Sequence, residues 1–169
     1  MCIHKSSLLW TLIIPAADAS ERGFGLKHGA AHSEYIKCND DGKVYFLETS
    51  SRVGGAHLAE MVEAASGVNL WGEWAKIEDS LLKNTTYKLP KIKKGYSGIV
   101  LTLSKFQQPD LSGFSDSEVC FRVPLDYHAG LIVKATKIER ILSLLDDYAD
   151  RLVRDFATVA AQEKTKNLH

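Results

Sequence analysis

The sequence lacks several features that would directly identify a zinc-binding, nucleic-acid-binding or membrane protein. Its three cysteines are widely spaced and include no Cys-x-x-Cys pair, which argues against a zinc site and favours reduced thiols in the cytoplasm. Lysine plus arginine and aspartate plus glutamate number 21 each, so net charge supports neither a nucleic-acid nor a membrane partner. The composition, 45% hydrophobic and 25% charged over 169 residues, is that of a globular protein of one domain or one and a half.

Long hydrophobic runs are also missing. The apolar run at 8–14 is too short to span a bilayer. With Lys5 before it and small residues after it, this run loosely resembles a signal peptide, but a buried strand is the preferred interpretation. Gly23, Gly25 and Gly29 follow, and because no Lys-Ser or Lys-Thr pair accompanies them, a Walker-type phosphate loop is excluded.

The strongest local pattern is a β-hairpin between residues 32 and 52. Two runs rich in aromatic and β-branched residues flank an Asp-Gly turn, a combination typical of a hairpin. We expect Gly42 to take the left-handed conformation and to close, with a bulge, a three-residue loop that pairs Asn39 with Lys43. In that register the facing pairs are Glu34 with Glu48, Ile36 with Phe46, and Cys38 with Val44.

This pairing places Glu34 and Glu48 on one face of the hairpin. Two carboxylates in that position repel each other unless a cation or a proton lies between them. Magnesium is the natural cation, because it prefers hard oxygen ligands and usually binds one or two carboxylates plus substrate phosphates. Ser50 and Arg52 have the parity of Glu48 and would add a hydroxyl and a guanidinium to the same face. The alternative is a polar face that is only solvated, and the residues alone leave both interpretations open.

Two helices are predicted after Gly54-Gly55, joined to the rest of the chain by a polar linker at 84–94. The first helix has apolar residues at helical spacing and ends at Gly67, and the second begins with Asn69 as N-cap. The second carries Leu70, Trp74, Ile77, Leu81 and Leu82. Trp71 and Trp74 are expected to pack in the core. The lysines of the linker predict a solvated segment, with phosphate contact as the alternative: Lys88, Lys91, Lys93 and Lys94.

The last part of the sequence predicts a small sheet and a long helix. Strand-like runs occupy 96–103, 117–124 and 129–134, and the last two are close enough to form a hairpin. A helix is predicted over 136–162, with Thr136 as N-cap and Glu139 completing a capping box. Its apolar stripe is expected to face the core or a partner: Ile138, Ile141, Leu142, Leu145, Tyr148, Leu152, Phe156 and Val159.

The hairpin and the residues after it resemble the magnesium-binding segment of the ATP-grasp superfamily. That segment reads His-x-Glu-aromatic, a short Asp-Gly turn, then Glu-x-Asn-x-Arg, followed by Gly-Gly and a helix. Here it runs through Glu34 and then from Glu48 to His57. The runs 60–70, 98–100 and 128–132 are also similar to that family, so the resemblance covers about residues 23–156. Biotin carboxylase and carbamoyl phosphate synthetase carry versions of the same segment.

The resemblance implies a Mg-ATP-dependent ligase that activates a small-molecule carboxylate as an acyl phosphate for attack by an amine or another nucleophile. Glu34 and Glu48 would bind Mg²⁺ or Mn²⁺ together with the ATP phosphates. Ser50 would be a weaker third ligand, because it stands where the family carries an Asn. Arg52 would neutralise charge on the transferred phosphoryl group. Weaker matches suggest substrate contacts by Gly54, Gly55 and His57.

The family also implies a preceding half, with an adenine pocket, phosphate-gripping lysines and a glycine loop, that we do not recognise in residues 1–22. We therefore expect an α+β fold equivalent to the C-terminal part of an ATP-grasp enzyme. Its predicted parts are an N-terminal segment (1–22), the ATP-grasp part (23–86), a small sheet with a long helix (95–162) and a tail (163–169). Activity would need the missing half as a partner. The alternative is a non-catalytic remnant that serves as a binding module or a homo-oligomer.

Overall fold

The structure, a computed structural model, describes residues 6–14, 28–38 and 40–158. Its elements are β1 (Ser6–Ile14), β2 (Gly29–Lys37), β3 (Val44–Ser50), α1 (Leu58–Ser66), α2 (Leu70–Leu82), β4 (Tyr96–Leu103), β5 (Val119–Arg122), β6 (His128–Ala135) and α3 (Ile138–Asp155). They form two compact units that divide between Lys94 and Gly95. Among the described helices, none has the length and apolar character needed to cross a membrane.

The N-terminal unit contains an antiparallel sheet in the order β1-β2-β3, with β2 in the centre. The predicted strand over the apolar run 8–14 is confirmed, since these residues belong to β1, which pairs with β2 from Ser6↔Lys37 to Ile14↔Gly29. Gly23 and Gly25 of the glycine-rich stretch lie outside the described residues. β3 is an edge strand of this sheet and carries one side of the hairpin.

The predicted hairpin forms, but its turn is one residue longer than expected. The Cys38 N–H donates to the Lys43 carbonyl at 2.8 Å and the Gly42 N–H donates to the Cys38 carbonyl at 3.0 Å, so the loop covers 39–42. Lys43 is thus bonded to Cys38, and Asn39, the predicted partner of Lys43, lies outside the described residues. Gly42 has the expected left-handed conformation, with φ of 69°.

A bulge then restores the register where the carboxylates lie. Next to the turn the pairs are Tyr35↔Phe46, Ile36↔Tyr45 and Lys37↔Val44, and the register shifts between Glu34 and Tyr35. The expected pairs Ile36–Phe46 and Cys38–Val44 are wrong, because Ile36 lies opposite Tyr45 and Val44 lies opposite Lys37. A register shift of one residue also turns each side chain to the other face relative to its expected partner. Leu47 is the extra residue on β3, and it compensates for the extra loop residue, so the predicted pair Glu34↔Glu48 is confirmed.

Both predicted helices of the N-terminal unit are confirmed with their ends. Gly67 ends α1 in the left-handed conformation, with φ of 74°, and Asn69 caps α2 by accepting a 2.7 Å hydrogen bond from the Gly72 N–H. Trp74 packs against the core as predicted, but Trp71 is 53% exposed, so its core placement is wrong. The buried residues of α2 include Leu70 and Ile77 of the predicted apolar set, and also the polar residues Glu73 and Ser80.

The C-terminal unit is the predicted small sheet with a helix packed on it. The strand order is β4-β6-β5, all neighbours are antiparallel, and β6 is in the centre. β4 has the predicted bounds, whereas β5 is shorter than the predicted run. The core of this unit is formed by Leu111, Phe114, Ala129, Leu131, Val133, Ile141, Leu144, Tyr148, Leu152 and Phe156.

Helix α3 is shorter than predicted at both ends. Lys137 is its N-cap, without a side-chain cap hydrogen bond, so the capping box of Thr136 and Glu139 is wrong. The helix ends at Asp155, because the next residues bond to the end of β4 and the residues just after it. The Thr158 N–H donates to the Leu103 carbonyl at 3.3 Å, and the Lys105 N–H donates to the Phe156 carbonyl at 2.9 Å. Of the predicted stripe, Ile138 and Leu142 are exposed and Val159 lies outside the described residues, while Leu144 is buried without having been predicted.

Candidate functional site

The face of the hairpin that carries the two carboxylates is built by the register of β2 and β3. Glu34 lies directly opposite Glu48, and Ser50 lies opposite His32 two residues further along. Residues opposite each other in an antiparallel pair share a face, with side chains in contact range. This face therefore brings together two carboxylates, a hydroxyl and an imidazole, and it includes three predicted site residues: Glu34, Glu48 and Ser50.

The opposite face of the same strands helps to hold this register. Ser33 and Thr49 are paired in the ladder, and their side-chain oxygens form a hydrogen bond of 2.8 Å. Beyond the bulge, the rings of Tyr35 and Phe46 meet edge to face with centroids 5.7 Å apart. Cross-strand pairs of this kind stabilise a sheet by tenths of a kcal/mol up to about 1 kcal/mol each.

Arg52 lies beyond the strand that was predicted to carry it. β3 ends at Ser50, and the Arg52 N–H donates to the Ser50 carbonyl at 2.9 Å, which turns the chain out of the sheet. The guanidinium is exposed and donates from Nη1 to the Val53 carbonyl at 3.1 Å. The expectation that Arg52 continues the strand is wrong. Within the described residues, no hydrogen bond or ion pair joins it to either carboxylate.

The segment from Gly54 to His57 turns sharply into α1. Ala56 and His57 both have positive φ, of 50° and 61°, a conformation that costs free energy for residues with a side chain. His57 is the N-cap position of α1, and its Nδ1 lies 3.6 Å from Glu60 Oε1. The structure thus places His57 at the start of a helix next to an acid of its own first turn.

His32 is the member of this face to which the sequence assigned no role. It is 3% exposed, and its Nε2 lies 3.3 Å from Oε1 of Glu34, whose side chain is 30% exposed. A β-carbon added at Gly54 would lie 2.9 Å from Nδ1 of the imidazole, so Gly54 packs closely on the ring. The signal was present in the sequence, because residues 32 and 34 of a strand must share a face.

The donor set fits a magnesium ion that is also held by phosphate. Within the described part of the chain, no group of three or more His, Cys, Asp or Glu side chains could hold a metal ion. Two facing carboxylates are, however, the protein ligands that magnesium commonly uses when substrate phosphates and water complete its octahedral shell. The residues present therefore fit a metal–nucleotide complex better than a metal site made by protein alone.

A buried carboxylate in α2 belongs to the structure of the N-terminal unit. Glu73 is 5% exposed and accepts hydrogen bonds of 2.7 Å from Lys76 Nζ and from the hydroxyl of Tyr87. Burial raises the pKa of Glu73, but these two hydrogen bonds outweigh it and leave the pKa lowered. Burial and the bond to Glu73 raise the pKa of Tyr87. Each carboxylate oxygen of Glu73 thus accepts a hydrogen bond from a nearby residue, so we assign this carboxylate a structural role.

A second charged cluster lies in the C-terminal unit. Arg140 donates from Nε to Glu118 at 2.8 Å and from Nη2 to Asp116 at 2.7 Å, and the Tyr148 hydroxyl donates to Asp116 at 2.5 Å. The bond from Arg140 lowers the pKa of Glu118 to about 2. Burial, followed by the bond to Asp116, raises the pKa of Tyr148 to about 12. Because the two carboxylates and the guanidinium are paired with each other, we assign this ion-pair cluster a structural role.

Comparison with known proteins shows the fold. No family model and no curated protein matches the sequence. Among solved structures, the chain is similar to the L-amino acid ligase from Bacillus licheniformis, with 17% identity, a TM-score of 0.53, and coverage of 80% of this chain and 37% of that one. It is also similar to N5-carboxyaminoimidazole ribonucleotide synthetase from Thermotoga maritima, with 13% identity, a TM-score of 0.54, and coverage of 80% and 39%.

These similarities confirm the predicted fold class. Antiparallel sheets with packed helices and a C-terminal helix match ATP-grasp enzymes over about 80% of the chain. The chain spans less than two fifths of the length of each of these two solved structures. At 17% and 13% identity the similarity concerns the fold alone, and the role of the hairpin carboxylates depends on their own geometry.

Proposed function

We propose that this chain carries the metal- and phosphate-facing side of a Mg-ATP-dependent ligase site of the ATP-grasp type. The observation that supports this most is the register, which sets Glu34 directly opposite Glu48 on one face of the hairpin. Like charges in this position destabilise a sheet, and a divalent cation converts that repulsion into attraction. The fold similarity to one ligase and one synthetase supports the same proposal.

Glu34 and Glu48 are proposed to hold Mg²⁺ or Mn²⁺, with Ser50 as a weak additional ligand. The bound cation would neutralise charge on the β- and γ-phosphates and orient them for transfer. Arg52 is exposed at the end of β3 and is proposed to bind the phosphoryl oxygens, for which its planar fork of N–H donors is suited. Gly54, Gly55 and His57 are proposed to border the substrate.

The proposed reaction is activation of a small-molecule carboxylate by phosphoryl transfer, followed by attack of an amine or another nucleophile. The residues of this chain would contribute positioning and charge stabilisation, which dominate catalysis of phosphoryl transfer. We propose that the rest of the nucleotide site comes from further polypeptide, either continuous with this sequence or in a separate subunit. The share of the matched ligases that the chain covers is compatible with this.

The metal role is tested by manganese binding to the full chain, followed as loss of the free Mn²⁺ electron paramagnetic resonance signal with and without ATP. We expect uptake of Mn²⁺ that ATP strengthens, and that Glu48→Gln abolishes. Asp40→Asn is the matched control, because it removes an exposed carboxylate from the loop of the same hairpin. Equal uptake by the wild-type chain and Glu48→Gln would show that Glu48 is not a ligand.

One observation favours a second function, that of a binding or oligomerisation module. The edge strand β3 has four consecutive apolar side chains that are about half exposed: Val44, Tyr45, Phe46 and Leu47. Exposed apolar edge strands pair readily with further strands. If this is the function, Phe46→Lys should convert a concentration-dependent oligomer into a monomer in sedimentation experiments. A chain that is monomeric at all concentrations would contradict self-association.

A further inference from the structure

His32 is buried next to one of the two proposed metal ligands. It precedes Glu34 by two residues on β2, so both side chains lie on the same face. The distance of 3.3 Å between His32 Nε2 and Glu34 Oε1 is that of a long hydrogen bond. His32 is 3% exposed, whereas the Glu34 side chain reaches solvent at 30% exposure. The imidazole therefore contacts Glu34 from the interior.

The surrounding residues fix the position of the imidazole ring. Gly54 lies so close that a β-carbon there would be 2.9 Å from Nδ1 and 3.1 Å from Cε1 of His32. The same point would be 3.3 Å from Cδ1 of Leu58, the first residue of α1. The ring is thus enclosed by the segment that joins β3 to α1. A side chain held in this way cannot move aside when a ligand approaches Glu34.

We infer that His32 is a positioning residue, whose Nε2–H donates to Oε1 of Glu34 and turns the carboxylate towards Glu48. One oxygen of Glu34 is then occupied by the protein, and the other stays available for a cation. Second-layer donors commonly orient ligating carboxylates in this manner. This inference rests on the proposed function for the identity of the cation, Mg²⁺ or Mn²⁺.

The type of residue suits this role. A lysine or arginine at position 32 would reach between Glu34 and Glu48 with a flexible charged group, and would occupy the place of the cation. An imidazole is shorter and more rigid, and it can donate one hydrogen bond from Nε2 without reaching into the space between the two carboxylates. The alternative is a buried histidine that only stabilises the core, and its hydrogen bond would then leave metal binding unaffected.

Two variants separate these roles. His32→Gln keeps an N–H donor near the position of Nε2, whereas His32→Leu removes the donor and keeps an apolar side chain. Both disturb packing, so the unfolding midpoint in urea should fall in both. If His32 positions Glu34, His32→Leu should weaken Mn²⁺ binding in the presence of ATP by roughly 10-fold, and His32→Gln should retain most of the affinity.

A measurement that does not depend on metal keeps this inference separate from the proposed function. Two-bond proton–nitrogen correlation spectra of the metal-free full chain should show the proton of His32 on Nε2. The carboxyl carbon resonance of Glu34 should shift in His32→Leu and stay near its wild-type position in His32→Gln. These results in a chain that takes up no Mn²⁺ would support the positioning contact and contradict the proposed function. A chain that binds Mn²⁺ equally well as wild type and as His32→Leu would overturn the role of His32 and keep the proposed function.

Discussion

The backbone of Gly54 lies directly against the imidazole of His32, so that residue 54 has no room for a side chain. An added β-carbon would be 2.9 Å from His32 Nδ1, a distance that real β-carbon contacts do not reach. At the neighbouring Gly55 the nearest atom would be Nη1 of Arg52 at 3.7 Å, which is an ordinary contact. Neither glycine has positive φ, so the two differ in space and not in backbone strain.

Gly54→Ala is therefore expected to destabilise the N-terminal unit, and Gly55→Ala is its matched control. Forcing a methyl group into a packed position costs about 1–3 kcal/mol in free energy of unfolding. The second substitution should change this free energy by less than about 1 kcal/mol. Urea unfolding followed by tryptophan fluorescence measures both. Equal effects of the two substitutions would contradict the close packing of Gly54 on His32.

A second prediction concerns the facing carboxylates in the absence of metal. Glu34 and Glu48 repel each other, so Glu48→Gln should raise the free energy of unfolding of the metal-free chain by about 0.2–1 kcal/mol. Magnesium with ATP should raise the melting temperature of the wild-type chain, because a ligand that binds only the folded state stabilises it. The variant should show no such rise.

The control for this experiment is Asp40→Asn, which removes one charge from the exposed hairpin loop. It should respond to magnesium and ATP like the wild-type chain. If Glu48→Gln lowers the stability of the metal-free chain, the two carboxylates are held together by something other than a cation, and the repulsion argument fails.

The parts of the fold that local sequence controls were predictable. Asn69 and Gly67 mark the start and end of helices through their own hydrogen-bonding and backbone properties, and both predictions hold. The pairing of Glu34 with Glu48 was also predicted, although for an incomplete reason. An extra loop residue and the bulge at Leu47 shift the register in opposite directions and cancel at this pair. Neither shift has a clear sequence signal, since bulges depend on the packing of the whole sheet.

The features that the sequence did not predict, such as the end of α3 and the exposure of Trp71, depend on tertiary contacts. The apolar periodicity of α3 continues past Asp155, yet the helix stops there because the backbone of Phe156 and Ala157 pairs with the end of β4. Trp71 was assigned to the core from its hydrophobicity, but α2 turns the neighbouring residues Leu70 and Glu73 inwards instead. The sequence assigns no role to His32, because its burial under Gly54 depends on a turn about twenty residues later in the chain.

A third prediction compares two tyrosine hydroxyls that bind carboxylates at the same distance. Tyr87 donates to the buried Glu73 at 2.7 Å, and Tyr45 donates to the exposed Asp41 at 2.7 Å. Tyr87→Phe leaves a buried carboxylate with one donor fewer, which costs about 1–3 kcal/mol in free energy of unfolding. Tyr45→Phe should have a much smaller effect, because water replaces the lost donor.

This comparison also has a pH dependence that can be measured in urea. The pKa of Glu73 is lowered in the folded state, so its contribution to stability is present at neutral pH and is lost as the pH falls through the folded pKa. Tyr87→Phe removes part of the cause, and the acid-induced loss of stability should become smaller. An unchanged pH profile would show that Lys76 alone maintains the charged form.

The last prediction concerns the ion-pair cluster that Arg140 forms with Asp116 and Glu118 in the C-terminal unit. The hydrogen bond from Arg140 lowers the pKa of Glu118 from 4.5 to about 2. The pKa of Asp116 is also lowered, mainly by the hydrogen bond from Tyr148 and to a smaller extent by the one from Arg140. A carboxyl with a lowered folded pKa stabilises above its unfolded pKa and loses this contribution as the pH falls through the folded value. The wild-type unit should therefore lose stability between pH 4.5 and about pH 2.

Arg140→Gln should lower the stability of this unit at neutral pH and flatten its pH dependence over the same range. A residual pH dependence should remain, because Tyr148 still donates a hydrogen bond to Asp116. Lys137→Gln is the matched control, since it removes a neighbouring exposed cation that forms no ion pair with the described carboxylates. Unfolding of the C-terminal unit can be followed through its backbone amide resonances in urea. A pH profile of Arg140→Gln that overlays the profile of Lys137→Gln would mean that Arg140 does not hold these carboxyl groups in their charged form.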